Sequence, residues 1–183
     1  TLSSYDPVSP VIGHDGTIYV NDSGLAALSP EGEFLWRSHS SGSGYYGFIT
    51  TPSIGANNTI YLNGRDSLYA FAPDGTLDWT FQHGESFATT PVISEQGTLY
   101  FSTSSHLFSV SSEGQLLWQA PMPFASNGQN STPHLTENGL IYVTSTSGWI
   151  AAFGTDGAVQ WMSSVPGEQP LASALSIAAD GTI

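Results

Sequence analysis

Apolar residues in this chain come in bursts of a few positions, separated by short runs of Gly, Ser, Thr, Asn and acidic residues. No burst recurs at three- and four-residue steps, so no helical period competes. The bursts are rich in Ile, Val, Tyr, Phe and Trp, side chains that fit the pleated surface of a strand. The turns between them carry Asp-Gly, Glu-Gly or Asn, which set hairpin geometry. The pattern predicts an all-β chain of many short antiparallel strands.

The bursts themselves repeat. Aligned on proline, four copies begin at Pro10, Pro52, Pro91 and Pro133, spaced 42, 39 and 42 residues apart. Each opens on a two-residue strand: Val11-Ile12, Ser53-Ile54, Val92-Ile93 and His134-Leu135. A second strand follows a tight turn, in Gly16-Thr-Ile-Tyr-Val20, Asn58-Thr-Ile-Tyr-Leu62, Gly97-Thr-Leu-Tyr-Phe101 and Gly139-Leu-Ile-Tyr-Val143. The third strand is Leu25–Leu28, Leu68–Phe71, Leu107–Val110 and Ile150–Phe153. The fourth follows an acidic residue and Gly, with Trp four positions after that Gly: Gly32 and Trp36, Gly75 and Trp79, Gly114 and Trp118, Gly157 and Trp161. Leu175–Ile183 matches Pro10–Ile18, so a fifth copy begins at the end of the sequence. The repeats are 10–51, 52–90, 91–132 and 133–174, with a partial one at 175–183, in a single segment spanning 1–183. A four-stranded meander cannot bury both its faces alone, so neighbouring units must stack.

The motif Gly-Thr-(Ile/Leu)-Tyr-(Val/Phe)…Leu-x-Ala-(Leu/Phe)-x-Pro-(Glu/Asp)-Gly-x-x-x-Trp resembles the PQQ-like, quinoprotein-type β-propeller repeat. The resemblance covers about residues 8–183. It implies a propeller of four-stranded antiparallel blades, four present and a fifth begun, in a family whose rings have roughly seven or eight blades. It implies that Trp36, Trp79, Trp118 and Trp161 pack between adjacent blades. The remaining blades would come from a longer chain or from self-association, because an open array leaves strand edges unpaired.

Charge narrows the partners. Fifteen acidic residues face two basic ones, Arg37 and Arg65, giving −13 with His neutral. Nucleic acid needs cations to displace the counterions of its phosphates, so it is a poor partner. An anionic membrane surface is disfavoured for the same reason, and no apolar run approaches the roughly 18 residues of a membrane span. With no cysteine there is no disulfide or thiolate site. The five histidines lack metal-ligand spacing, and no Gly-x-Ser-x-Gly elbow or phosphate-binding loop occurs. No catalytic residue, cofactor site or metal site is assigned. The balance leans away from an enzyme.

If strands run from inside to outside, one face collects the first-to-second and third-to-fourth turns. Asp15, Glu31, Asp74, Glu95, Glu113, Glu137, Asp156 and Asp180 fall there, and Asp before Gly suits a tight turn. The other face collects the irregular connections, where function usually resides. Tyr45, Tyr46, Phe48, Phe87 and Phe124 sit in those connections, placed either to stack on a sugar or peptide or to plug gaps between blades. Trp149 stands outside the repeat pattern and is a further candidate for contact. Arg37 and Arg65 map to the same face, either gripping a carboxylate or neutralising a local acid such as Asp66.

Three readings follow. One is a non-catalytic binding or scaffold module, extracellular or periplasmic, recognising a protein or glycan partner through its connections. The second is a fragment of a quinoprotein dehydrogenase. The resemblance implies that such a site supplies Arg or Lys, calcium ligands, a Trp platform and a vicinal cysteine pair, which this sequence matches poorly. The third is a structural repeat protein that assembles with copies of itself.

Overall fold

The computed structural model describes residues 9–21, 24–38, 50–124 and 130–164. Tyr45, Tyr46 and Phe48, and the partial repeat at 175–183, lie outside them. Every described element is a strand. The first sheet holds β1 (Val11–Ile12), β2 (Ile18–Asn21), β3 (Leu25–Leu28) and β4 (Phe34–Ser38). The second holds β5 (Ser53–Ile54), β6 (Ile60–Asn63), β7 (Ser67–Phe71) and β8 (Leu77–Gln82). The third holds β9 (Val92–Ile93), β10 (Leu99–Ser102), β11 (His106–Val110) and β12 (Leu116–Pro121). The fourth holds β13 (His134–Leu135), β14 (Ile141–Thr144), β15 (Trp149–Phe153) and β16 (Val159–Ser164). Each is an antiparallel meander in chain order. The chain divides into two compact units, Thr1–His83 and Gly84–Ile183, each described here by itself.

The turn chemistry is the same in every sheet. In the first turn of each, the fourth residue takes a left-handed conformation: Gly16, Asn58, Gly97 and Gly139. Asn58, at φ 57°, is the one non-glycine of the set, and Asn tolerates that region better than other side chains. The third turns place Gly32, Gly75, Gly114 and Gly157 at φ between 81° and 86°. One residue ahead of each third turn the pairing slips by one, at Ala27/Leu28, Ala70/Phe71, Ser109/Val110 and Ala152/Phe153. A left-handed turn residue next to a bulge is the geometry that matches a hairpin's turn to the twist of its strands.

Register explains the recurrence of Tyr and Trp. Tyr19 faces Ala27, which faces Trp36. The same row is Tyr61, Ala70, Trp79 in the second sheet, Tyr100, Ser109, Trp118 in the third, and Tyr142, Ala152, Trp161 in the fourth. The small central residue lets the two rings meet over it, with centroids 5.7 to 6.0 Å apart and planes tilted by 41 to 57°. A larger residue on the third strand would hold them apart.

In each unit this Tyr–Trp face of one sheet meets the opposite face of the next. In the first unit Tyr19, Leu25, Ala27 and Trp36 pack with Ile60, Leu62 and Phe71. In the second, Tyr100, Leu107 and Trp118 pack with Ile141, Val143, Ala151 and Phe153. Period-two alternation supplies both faces: Ile60 and Leu62 look one way, Tyr61 the other. Fully burying one Phe such as Phe71 or Phe153 stabilises by about 1.5–3 kcal/mol.

The indoles also close the seam with polar contacts. Trp36 Nε1 donates to the carbonyl of Pro73 in the next repeat at 3.0 Å, and Trp118 Nε1 to that of Thr155 at 2.8 Å. Gly75 and Gly157 lie beneath these rings. A Cβ at Gly75 would stand 2.7 Å from Trp36 Cε3, and one at Gly157 2.8 Å from Trp118 Cε3. Trp79 is half-buried against Tyr61, and Trp161 is 39% exposed beside Tyr142.

Candidate functional site

The connections between repeats are anchored by hydroxyls two residues ahead of each repeat's proline. Thr50 Oγ1 accepts from Asn63 N at 2.9 Å, and Asn21 Nδ2 reaches the Thr50 carbonyl at 3.0 Å. In the second unit Thr89 Oγ1 accepts from Ser102 N at 3.1 Å, Ser102 Oγ donates to the Ser131 carbonyl at 2.9 Å, and Ser131 Oγ accepts from Thr144 N at 3.0 Å. Each clamp ties the chain entering a repeat to the end of that repeat's second strand. Asn21 and Ser102 extend the tie from one repeat to the next. Reading the sequence for apolar runs passed over these residues. Their signal is the recurrence of Thr50-Thr-Pro52, Thr89-Thr-Pro91 and Ser131-Thr-Pro133.

The connection face is best defined around the turn from β10 to β11. Both oxygens of the Glu85 carboxylate are engaged: Oε1 lies 2.5 Å from His106 Nδ1, and Oε2 accepts from the Thr103 hydroxyl. Thr103 Oγ1 in turn accepts from His106 N at 3.1 Å, and Asn130 Nδ2 donates to the Thr103 carbonyl at 2.6 Å. Ser104 N bonds the Ser86 carbonyl, and Met122 N the Ser105 carbonyl. One turn therefore holds the connection before it and, through Met122 and Asn130, two points of the connection after it. The His106 ring lies 5.9 Å from that of Phe108, which limits its rotation. A carboxylate spent on a hydroxyl and an imidazole works as a staple for the 84–88 segment.

The loop aromatics go different ways. Phe124 is 8% exposed and belongs to the core of the second unit, where Met122 packs beside it. That burial fills a gap and takes its ring away from the surface. Trp149 begins β15 half-buried, and its ring packs on the same core. Phe87 is 54% exposed and sits at φ 60°. Arg37 on β4 and Arg65 in the turn from β6 to β7 are both exposed, in the first unit.

The acidic turns carry their own hydrogen bonds. Asp15 accepts from Thr17 N at 3.0 Å and Asp74 from Thr76 N at 2.9 Å. These backbone donors favour the charged form and hold both carboxyls below the usual carboxylate value. Glu113 is lowered chiefly by the Ser112 hydroxyl at 2.6 Å. The carboxylates are thus part of turn construction and stay ionised at neutral pH. Burial acts the other way on Tyr19 and Tyr100, whose phenols are pushed above the ordinary value.

Four-stranded meanders stacked through repeated indoles are the blades of a β-propeller. A family model described as outer membrane protein assembly factor BamB, built on the PQQ-like repeat, matches residues 10–182. The chain belongs to that family. Among solved structures it is similar to BamB from Moraxella catarrhalis, with a TM-score of 0.68 at 17% identity over 88% of this chain and 51% of that one. It is also similar to a protein of unknown function from Bacteroides caccae, with a TM-score of 0.64 at 13% identity over 89% of this chain and 62% of that one. A third likeness is to a catalytically inactive virginiamycin B lyase from Staphylococcus aureus with quinupristin. There the TM-score is 0.73 at 11% identity, over 91% of this chain and 58% of that one. At these identities the likenesses show the fold. The chain spans between half and two thirds of the length of each. No curated protein matches the sequence.

Proposed function

We propose that the chain is a non-catalytic propeller segment that serves as a binding or assembly scaffold, presenting its connections to a protein or glycan partner. Family membership supports the scaffold role, since the matching family is described as an assembly factor. The observation that carries the reading is the staple of Glu85, Thr103 and His106. Groups able to do acid–base chemistry are spent there on holding a connection rigid, which suits recognition by a preorganised surface. The candidate contacts are Arg37 and Arg65 in the first unit and Phe87 and Trp149 in the second, with Tyr45, Tyr46 and Phe48 in the connection at 39–49. Further blades of a longer chain, or further copies, would complete the ring. The proposed location is the periplasm or the cell surface.

The test sets binding against chemistry on the same protein. The purified chain is screened on peptide and glycan arrays, and separately for dye reduction with pyrroloquinoline quinone and calcium. Saturable binding to one array without quinone-dependent turnover is the expected result. Turnover above the background of free quinone would overturn the reading. Sedimentation tests ring completion, which a stable monomer of this length would contradict.

A further inference from the structure

Residues 84–87 join three features in the connection that leads into the third sheet. The segment begins at Gly84, at φ 73°, with nothing within 4 Å of its Cβ position, so the backbone there has room to turn. It ends at Phe87, whose ring is 54% exposed and whose backbone lies at φ 60°, a region that a bulky side chain enters only under strain. Between the two, Glu85 is bound at both carboxylate oxygens, by His106 Nδ1 and by the Thr103 hydroxyl. Past Phe87 the chain is fixed again, with Ala88 buried and Thr89 Oγ1 accepting from Ser102 N. The strained backbone and the solvated ring both favour leaving this conformation. The bonds of Glu85 hold it, with that of the Ser86 carbonyl to Ser104 N at 3.2 Å.

We infer that residues 84–87 form a pH-gated strap, closed while a protonated His106 holds Glu85 and lifting about Gly84 when the imidazole loses its proton. With both partners charged, the pair is an ion pair and a hydrogen bond at once. The neutral ring keeps only the hydrogen bond, and the strain at Phe87 then weighs more. The side chains of His106 and Glu85 are 28% and 22% exposed, so water reaches the proton while the pair stays largely shielded. Around His106 stand Glu85 and Ser86 of the connection, Thr103, Ser104 and Ser105 of the turn, and Phe108 along β11. Pro121 lies opposite on β12, with Met122 and Asn130 after it. Glu85 is the one charged residue of that set, and the Thr103 hydroxyl does not titrate. The gate therefore falls to the imidazole, a group that changes charge close to neutral pH. The strap is closed on the acid side of that change and lifts on the alkaline side. It is a property of the segment itself and holds whatever the connection face binds.

Hydrogen exchange of the full chain, read by mass spectrometry between about pH 6 and about pH 8, tests the strap. Each rate is divided by that of the same sequence unfolded, which removes the intrinsic effect of pH. The corrected exchange of the Ser86 and Phe87 amides should rise about three- to tenfold across the range. That of Thr89, whose N–H bonds the Ser102 carbonyl at 2.9 Å, should stay level. His106→Gln keeps a donor for Glu85 without the charge and should give one exchange level at both ends of the range. Phe87→Asn relieves the strain and should slow exchange at the alkaline end, whereas loss of a merely structural ring would speed it. Exchange in the parent that ignores pH overturns the strap, as does a His106→Gln variant that follows pH as the parent does. Faster exchange in Phe87→Asn overturns it as well. A rise shared by Thr89 does the same, by making the opening general.

Discussion

Replacing Gly75 by alanine tests whether the repeats are held together through their indoles. Two costs are built in. The first is conformational: Gly75 sits at φ 86°, where an L side chain costs about 1–2 kcal/mol. The second is contact: the new Cβ would stand 2.7 Å from Cε3 and 2.8 Å from Cδ2 of Trp36, atoms of a rigid ring. The ring must withdraw, and its bond to the Pro73 carbonyl at 3.0 Å goes with it. That loss is about 0.5–1.5 kcal/mol, with about 1–3 kcal/mol more for disturbed packing. Gly32 separates the two costs, because it has the same conformation, φ 85°, with nothing within 4 Å of its Cβ position. The expected destabilisation is therefore about 1–2 kcal/mol for Gly32→Ala and about 2.5–6.5 kcal/mol for Gly75→Ala. Urea unfolding followed by tryptophan fluorescence measures both. Adding Trp36→Ala to each closes a double-mutant cycle, and Trp36→Ala should cost less in the Gly75→Ala background than in the parent. Equal effects of the two glycine substitutions, or full additivity with Trp36→Ala, would refute the reasoning.

Two other outcomes follow from the clamps and the shifted acids and phenols. Thr50→Val keeps the shape of a buried side chain but leaves the buried Asn63 N–H without its 2.9 Å acceptor. It should cost about 1–3 kcal/mol in urea unfolding, and Thr50→Ser clearly less. The lowered carboxyls of Asp15, Asp74 and Glu113 contribute stability that is present above their unfolded values and lost as pH falls through their folded ones. The raised phenols of Tyr19 and Tyr100 contribute stability that is present below about pH 10 and lost above it. The urea midpoint should therefore fall at both ends, and a Tyr19→Phe, Tyr100→Phe double variant should flatten only the alkaline limb; an unchanged alkaline limb would count against that assignment.

Strands, turns and sheet order were legible because each is encoded within a few neighbouring residues. Alternation marks Ile60 to Leu62 as a strand, and Asp74-Gly75 marks the turn that follows β7. The partnership of Trp36 with Gly75 and Pro73 links positions 37 to 39 apart, and the sequence shows two motifs without showing that one sits on the other. The clamps were legible in principle, since Thr-Thr-Pro recurs. They went unread because hydroxyls beside a proline look like ordinary loop composition. The connection aromatics were least legible. Phe87 and Phe124 are the same residue in similar segments, and the structure exposes one and buries the other. Which way a ring turns depends on where backbone bonds pin its segment, and that is settled by Ser102, Thr103 and Ser104, fifteen or more residues from Phe87 in the chain.

The indole bonds end on main-chain oxygens, those of Pro73 and Thr155, and rest on hydrogens where a Cβ would be. What one module asks of the next is a peptide carbonyl and a vacancy, and nearly any copy of the unit can offer both. Duplication, deletion or recombination of whole modules then preserves the joints without compensating substitutions. That tolerance leaves the connecting segments free to diverge, and the solved structures similar to this chain share its fold with fewer than one residue in five the same.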